Sequence, residues 1–396
     1  FGCGAESARA PSCRERLRCA TTARARAMPA AGRFHTLLLR SDGCAVACGM
    51  NDDGQCDVPE LECGASYSQV AAGVCHTVLL RSDGQAVACG NNRHGQCDLP
   101  PLEPGSGYTQ VTAGYSHTVL LRSDGSAVAC GDNRCGQCIV PELEPGVTYT
   151  QVAAGYSHTA LLRSDGRAVA CGDNGDGQCD FPPLAPGAAY VHVAAGGLHT
   201  VLLRSDGVAV ACGWNNDGQC NLPEPEPGVA YRQVAAGVRH TVLLRSDGRA
   251  VACGRDVYGQ CNFPPGGSYT HAAAGELHTV LLRSDGRAVA CGWNHDGRCD
   301  LPELGPGLSY RPSGALRDLV LQLRVERSTS GRTATCRSLL TGDALATWTV
   351  SEAPHDAMAL AQVRKELGRP GSRVRVVLPD GSLLSERCTW EELFQA

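Results

Sequence analysis

The stretch HTVLLRSDGRAVACG stands unchanged at residues 240–254 and 278–292. Near-copies occur five more times, and the seven His-Thr pairs begin at His35, His76, His117, His158, His199, His240 and His278. The spacing between them is 41 residues five times and then 38. A fixed period of about 40 residues indicates a repeat architecture, so the chain is interpreted as seven copies of one unit.

Each unit is predicted to be a small antiparallel sheet of three to four strands. An apolar run such as YTQVAAG (149–155) comes first, and HTVLLR follows. Ser-Asp-Gly then gives a tight turn, because Gly accepts positive φ and Asp caps the turn, and RAVACG returns as the partner strand. Such short apolar runs between Gly and Pro favour strands over helices.

Seven small sheets bury both of their faces when they pack radially, which predicts an all-β, seven-bladed β-propeller over residues 27–308. Frequent Pro, Gly and Asp-Gly disfavour a helical repeat. An open β-solenoid is the remaining alternative, although its coils are usually shorter than this period.

Composition and charge narrow the classes of partner. The 396-residue chain is 43% hydrophobic, enough to bury a core, and its formal net charge is −5, which argues against nucleic acid. No apolar run approaches the roughly 20 residues of a membrane span, so no membrane partner is expected. Residues 1–26 are rich in Arg, Ala, Ser and Cys and are interpreted as a disordered leader, with a targeting segment as the alternative.

The recurring pattern V-A-A-G-x-x-H-T-x-x-L-x-S-D-G-x-x-V-A-C-G-x-N-x-x-G-Q resembles the repeat of the regulator of chromosome condensation family over about residues 27–308. The element at Gly177, Gln178 and Pro182 also resembles the repeat of the bacterial β-lactamase inhibitor protein II, a pure binder of similar fold. The resemblance implies the propeller but no single activity, because the family includes exchange factors, ligase adaptors, photoreceptors and inhibitors.

The chain departs from the family pattern at two cysteines in every unit, where the family has Trp and Leu. These pairs are Cys48 and Cys56, Cys89 and Cys97, Cys130 and Cys138, Cys171 and Cys179, Cys212 and Cys220, Cys253 and Cys261, and Cys291 and Cys299. They are interpreted either as small buried hydrophobes or as one disulfide per blade. A metal site is disfavoured, since each pair offers only two ligands. The total of 23 cysteines leaves at least one unpaired thiol.

Sequence variation is concentrated in two loops of each unit, between Ala-Gly and His-Thr and after Cys-Gly. In a propeller these loops open on the same face, whereas the repeated His, Arg and Asp residues are expected to have scaffold roles. Because Tyr, Trp and Arg dominate binding hot spots, the loops predict a protein-binding face. The candidate binding residues are Phe34, Arg93, Tyr115, Tyr156, Trp214, Arg239, Tyr258 and Trp293.

The repeat stops after Tyr310, and residues 309–332 are interpreted as a linker in which 316–326 form a strand or a short helix. Residues 333–396 predict a hairpin around 341–343, a helix over 356–369 and a second hairpin around 380–381. This ββαββ order resembles a ubiquitin-like domain of the β-grasp class. It stops short of a final strand and a Gly-Gly tail, so a truncated domain is expected.

The leading functional hypothesis is a non-enzymatic protein-interaction scaffold, as an adaptor or a fragment of a ubiquitin-pathway protein, in the cytoplasm or nucleus. No catalytic set, metal or cofactor is expected. One alternative is a guanine-nucleotide exchange factor for a small GTPase, and another is a secreted, disulfide-stapled binder or inhibitor. Light sensing of the plant ultraviolet-B receptor type is disfavoured, because only Trp214 and Trp293 lie in the propeller and the receptor's G-W-R-H-T signature is absent.

Overall fold

The computed structural model describes residues 29–62, 65–264 and 267–310, and the strands at 319–328, 331–338, 344–350 and 374–377. Up to residue 310 these residues form seven sheets of three antiparallel strands each. The inner strands are β1 (Ala30–Ala31), β4 (Tyr67–Ala72), β7 (Tyr108–Ala113), β10 (Tyr149–Ala154), β13 (Tyr190–Ala195), β16 (Tyr231–Ala236) and β19 (Tyr269–Ala274).

The middle strands of the seven blades are the HTVLLR segments, and the outer strands are the AVACG segments. The middle strands are β2 (His35–Leu39), β5 (His76–Arg81), β8 (His117–Arg122), β11 (His158–Arg163), β14 (His199–Arg204), β17 (His240–Arg245) and β20 (His278–Arg283). The outer strands are β3 (Ala45–Gly49), β6 (Ala86–Gly90), β9 (Ala127–Gly131), β12 (Ala168–Gly172), β15 (Ala209–Gly213), β18 (Ala250–Gly254) and β21 (Ala288–Gly292).

The Ser-Asp-Gly element forms the predicted hairpin turn between middle and outer strands. In the sixth blade the Gly248 amide donates to the Arg245 carbonyl at 3.1 Å, and the Asp247 carboxylate accepts from the Arg249 amide at 3.0 Å. Gly248 has a φ of 84°, which favours glycine over any residue with a side chain.

The core lies between neighbouring blades, because successive side chains of a middle strand point to opposite faces of its sheet. Leu79 packs toward Leu37 and Tyr67, whereas Val78 and Leu80 pack against Tyr108 on the other face. Both faces of a middle strand are therefore buried, which explains why its V-L-L residues are consecutive rather than alternating with polar residues.

Tyr310 closes the ring. In the blades at Tyr67, Tyr108 and onward, a tyrosine starts the inner strand and pairs with the last Arg of the middle strand, as Tyr67 does with Arg81. The first blade has no tyrosine at this point, and Tyr310 pairs with Arg40 there instead. Its side chain is buried with Leu38 and Val280, so the last residue of the repeat region completes the first blade.

A chain of hydrogen bonds between repeat histidines and threonines runs around the ring. Each histidine Nε2 lies 2.8–3.1 Å from the threonine Oγ1 of the next blade, and the last pair joins His278 to Thr36. Each threonine hydroxyl in turn donates to a backbone carbonyl of the preceding blade, as Thr77 does to Gln55 at 2.7 Å. Because that hydroxyl proton is used, the histidine Nε2 must carry the proton that it shares with threonine. The predicted scaffold role of these histidines is confirmed.

Burial keeps the repeat histidines neutral. It lowers the pKa of His35, His117, His158 and His240 to about 4 and that of His76 and His199 to about 3. The glycine of each A-A-G element makes room for the ring, since a Cβ on Gly73 would lie 2.3 Å from His76 Cε1. The motif A-A-G-x-x-H-T is thus explained by packing between blades.

After the propeller, four strands form one mixed sheet in the order β24-β23-β22-β25. They are β22 (Leu319–Ser328), β23 (Gly331–Ser338), β24 (Ala344–Val350) and β25 (Val374–Val377). β23 and β24 pair antiparallel on either side of the predicted turn at 341–343, and β22 runs parallel to β25. Of the two forms predicted for 316–326, the strand is present from Leu319 onward as β22, and it pairs within this sheet. The leader 1–26, the helix over 356–369 and the turn at 380–381 lie outside the described residues.

Candidate protein-binding face

The variable face is defined by two loops of every blade. The first loop holds the two residues between Ala-Gly and His-Thr, and the second holds the four residues between Cys-Gly and Gly-Gln-Cys. In the sixth blade these are residues 238–239 and 255–258. Both loops leave the same ends of the strands, as the up-and-down order requires.

The second loop is held by its own side chains. In the first blade Asn51 Oδ1 accepts from the Cys56 amide at 2.7 Å, and its Nδ2 donates to Asp57 at 2.8 Å. Gln55 Oε1 accepts from the Asp53 amide at 3.0 Å. The Asn recurs in six blades, with Asp256 in its place in the sixth. The second residue of this loop is therefore structural. Only its first, third and fourth residues are available for recognition.

Residues on the face meet across the seams between blades. At two seams the fourth residue of the second loop contacts the first residue of the second loop in the next blade, as when Asn91 donates to Asp53 at 2.8 Å. Tyr258 and Trp293 occupy the same two positions at the next-to-last seam, with ring centroids 4.5 Å apart. These contacts between neighbouring blades bring together residues that are far apart in sequence.

The structure brings six of the eight predicted binding residues into three pairs. Tyr115 lies edge-on to Tyr156 at 5.0 Å, Arg239 lies 5.3 Å from the Trp214 ring, and Tyr258 lies edge-on to Trp293. Tyr115 is 40% exposed. That these residues bind a partner stays a prediction.

Phe34 and Arg93 are not part of an aromatic pair. Phe34 is half-buried, with the Arg33 and Arg298 guanidinium carbons 4.7 and 5.4 Å from its ring centroid. Arg93 is exposed on the second blade, and its amide donates to Asn91. Phe34 therefore acts mainly as packing for two cations, and Arg93 is the more accessible of the two.

The loops also surround the mouth of the central channel. The channel is a cavity of about 80 Å³ lined by the Ala-Gly ends of the inner strands, together with Arg33, Val74, Tyr156 and Val238. Burial raises the pKa of the Tyr156 hydroxyl, and the nearby Glu276 carboxylate raises it further. Arg33 pairs with Glu276 at 2.5 Å across the closing seam. Tyr156 and the Arg33–Glu276 ion pair, whose charges compensate each other, thus lie at the mouth of the channel.

The closing seam contains a residue that departs from the repeat pattern and is not among the eight candidate binding residues. Arg298 replaces the Gln of Gly-Gln-Cys, is 1% exposed, and donates to the Arg33 carbonyl at 2.6 Å. It also forms an ion pair with Asp296. The break in the G-Q-C pattern is the sequence signal for this residue.

The repeat cysteines are thiols in the structure. The first cysteine of each pair points toward a carbonyl of the preceding blade, as Cys253 does toward Gln219 at 3.5 Å. The second points toward a carbonyl of its own loop, as Cys138 does toward Asp132 at 3.3 Å. Burial raises their pKa to about 11 or 12, which disfavours the reactive thiolate. The arrangement fits small buried hydrophobes, while the disulfide alternative stays a prediction for oxidising conditions.

Within the described ranges, no three His, Cys, Asp or Glu side chains are grouped so that they could hold a metal ion. The same part of the chain has no helix of the length and apolarity that a membrane crossing requires.

Comparison with known proteins agrees with the geometry. The family model described as the regulator of chromosome condensation (RCC1) repeat matches residues 30–55, 67–96, 108–137, 149–178, 190–219, 231–260 and 269–298. These matches together cover more than half of the chain and include all three strands of every blade in the ring. No curated protein sequence matches the chain significantly.

Three solved structures are similar in fold. Human WBSCR16 is 19% identical with a TM-score of 0.56, covering 65% of this chain and 87% of that one. Prp20p from Saccharomyces cerevisiae, described with its binding to Gsp1p and histones, is 20% identical with a TM-score of 0.54, covering 66% and 79%. The receptor kinase CR4 ectodomain from Physcomitrella patens is 17% identical with a TM-score of 0.56, covering 67% and 72%. At these identities the likeness shows the fold alone.

Proposed function

This chain belongs to the family of proteins built from regulator of chromosome condensation (RCC1) repeats, and from that premise we propose that it is a non-enzymatic scaffold that binds another protein through its variable face. The family uses one fold for several activities, so the proposal depends on the face rather than on the fold.

The observation that carries the proposal is the contrast between a uniform scaffold and a diversified face. The His-Thr ring and the Asp-Gly turns repeat around the propeller, whereas the first loop and the first, third and fourth residues of the second loop differ from blade to blade. At these positions the seams collect Tyr, Trp and Arg, the residue types that dominate protein-binding hot spots. Short loops between paired strands hold these side chains, which lowers the entropy lost on binding.

A small GTPase, with nucleotide exchange as the activity, is the second candidate. The family resemblance implies this activity for some members, and the structure of Prp20p is described with its binding to Gsp1p. The exchange hypothesis predicts that catalytic amounts of the chain accelerate the release of labelled GDP from a GTPase. Binding without acceleration would support the scaffold alone.

The remaining assignments are parts of the same proposal. A cytoplasmic or nuclear location is proposed because free thiols persist in a reducing compartment, whereas the secreted binder would require disulfides in the blades. The ubiquitin-like assignment of 333–396, and with it a ubiquitin-pathway role, depends on the β23–β24 hairpin and the sequence pattern, since the matches to the repeat model end at residue 298.

The experiment that tests the scaffold is site-specific photocrosslinking in cells of the source organism. A benzophenone amino acid replaces Tyr258 on the variable face, and a matched variant carries it at Ser126 in a hairpin turn on the opposite face. The proposal expects a discrete crosslinked protein at position 258 and none at 126. Equal crosslinking at both positions would contradict a dedicated binding face.

A further inference from the structure

We propose that one sector of the variable face, the aromatic–acidic arc, binds a Lys- and Arg-bearing segment of the partner protein. The arc is defined by Val257, Tyr258, Trp293, His295, Asp52 and Asp53 on the sixth, seventh and first blades. This inference rests on the proposed function, and it adds the sector and the chemistry of the partner.

The aromatic end of the arc is an exposed stack. Val257 is 68% exposed and Tyr258 is 37% exposed, although both are large apolar residues. Tyr258 meets the Trp293 ring edge-on, and the His295 ring is stacked on Trp293 at 5.9 Å with 21° between the planes. Such a surface offers an apolar anchor and aromatic faces for a cation.

The acidic end of the arc lacks counterions. Asp52 and Asp53 are exposed, and in the described ranges neither forms an ion pair with Arg, Lys or His. Asp57 and Asp300, which flank the same loops, are exposed and likewise outside any ion pair there. These carboxylates are therefore available to a partner cation.

The cations between the two ends are already neutralised. Arg33 pairs with Glu276, and Arg298 pairs with Asp296 beneath the surface. On the far side, Arg239 pairs with Asp217 at 3.3 Å. Arg255 and Arg93, in the loops at the two ends of the arc, form no ion pair among the described residues, but the carboxylates Asp52, Asp53, Asp57 and Asp300 outnumber them. This excess of negative charge attracts a basic segment and repels an acidic one.

The fourth blade provides the matched control. Asp176 occupies the fourth loop position there, as Asp53 does in the first blade, and it is also exposed. The corresponding first loop residue of the next blade is Trp214, whose ring is faced by Arg239 rather than by a second aromatic residue. General attraction of a basic peptide to an acidic protein would involve both carboxylates equally, whereas docking on the arc involves Asp53 alone.

The test uses two fluorescein-labelled peptides and the full chain. One peptide is composed of Arg, Lys, Gly and Leu, and its counterpart has Glu in place of every Arg and Lys. Fluorescence anisotropy gives the affinity of each peptide at low and at high salt. We expect the basic peptide to bind and the acidic one not to bind. Trp293→Ala and Asp53→Asn should each weaken binding about tenfold, and Asp176→Asn by less than about twofold.

Thermal unfolding of each variant shows whether it is folded, and Trp293→Phe, which keeps a ring, should retain most of the affinity. Equal losses in D53N and D176N, or equal binding of both peptides, would overturn the arc as the docking site. If neither peptide binds while Tyr258 still crosslinks to a protein, the inference fails and the proposed function stands. If crosslinking at position 258 is absent as well, both fail.

A basic segment of this same chain is the competing occupant. Residues 1–28 hold six arginines against two glutamates. A full-length variant with Gln at all six arginines therefore completes the test. Unchanged peptide affinity supports a partner as the occupant, whereas a clear gain in affinity would assign the arc to residues 1–28 and overturn the partner.

Discussion

His278 Nε2 lies 2.8 Å from Thr36 Oγ1, and this hydrogen bond joins the last blade to the first. The Thr36 hydroxyl donates to the Arg298 carbonyl at 2.8 Å, so the same threonine connects three segments of the chain. An identical arrangement occurs at every internal seam, as at His76, Thr118 and Gln96. The closing seam therefore uses the same polar bonds as the others, although its partners are more than 200 residues apart.

Thr36→Val is expected to destabilise the ring. The change keeps the shape of the side chain but leaves the buried His278 N–H and the Arg298 carbonyl without their partner. The expected loss is about 1–3 kcal/mol in the free energy of unfolding, measured by urea denaturation. Thr118→Val is the matched control at an internal seam and should lose a similar amount. A T36V protein as stable as the parent would show that the closing bond contributes nothing.

Acid is expected to destabilise the propeller at pH values that are still above those at which carboxylates titrate. The folded pKa of the ring histidines is about 3 or 4, and that of His278 is also lowered, whereas an unfolded histidine titrates near 6.5. Below about pH 6.5 the unfolded chain thus binds more protons, and stability falls as the pH decreases toward 4. Each histidine adds a slope of up to about 1.4 kcal/mol per pH unit.

Urea midpoints at several pH values between about 7.5 and 5 measure this effect. Carboxylates such as Asp124, whose folded pKa is lowered from 3.8, contribute only at lower pH. A midpoint that stays constant down to pH 5 would mean that the histidines are accessible to protons in the folded state.

The sequence predicts the blade well and the joints between blades less well. The period, the Asp-Gly turns and the scaffold histidines follow from local patterns, since the strands of each unit pair with one another. Tyr310 could not be assigned to the first blade in this way, because ring closure brings it there from the other end of the repeats. The contact of Tyr258 with Trp293 likewise depends on the seam geometry, which no single repeat encodes.

The repeat thiols are expected to be slow to alkylate in the folded protein. Their pKa of about 11 or 12 leaves little thiolate at pH 8, and their side chains are partly buried. Cys44 in the first blade and Cys135 in a loop of the third blade are exposed and should react with iodoacetamide before the repeat thiols. Intact mass after labelling counts the reactive cysteines in the folded protein and in the urea-unfolded protein, the latter with and without prior reduction. If about fourteen thiols react only after reduction, the blades of the native protein are disulfide-stapled, and the secreted binder becomes the better function.

Arg298→Leu is expected to destabilise the closing seam, because it leaves the partly buried Asp296 carboxylate and the Arg33 carbonyl without their buried donor. The expected loss is about 2–4 kcal/mol in the free energy of unfolding. Arg298→Gln restores the residue of the other six blades, whose Oε1 accepts a loop amide as Gln219 does from Asp217 at 3.1 Å. Its loss should therefore be less than half of that in R298L, as measured by urea denaturation of both variants. If R298Q is as unstable as R298L, the closing seam needs the charge of Arg298, and the equivalence of the seven seams is limited to their His-Thr bonds.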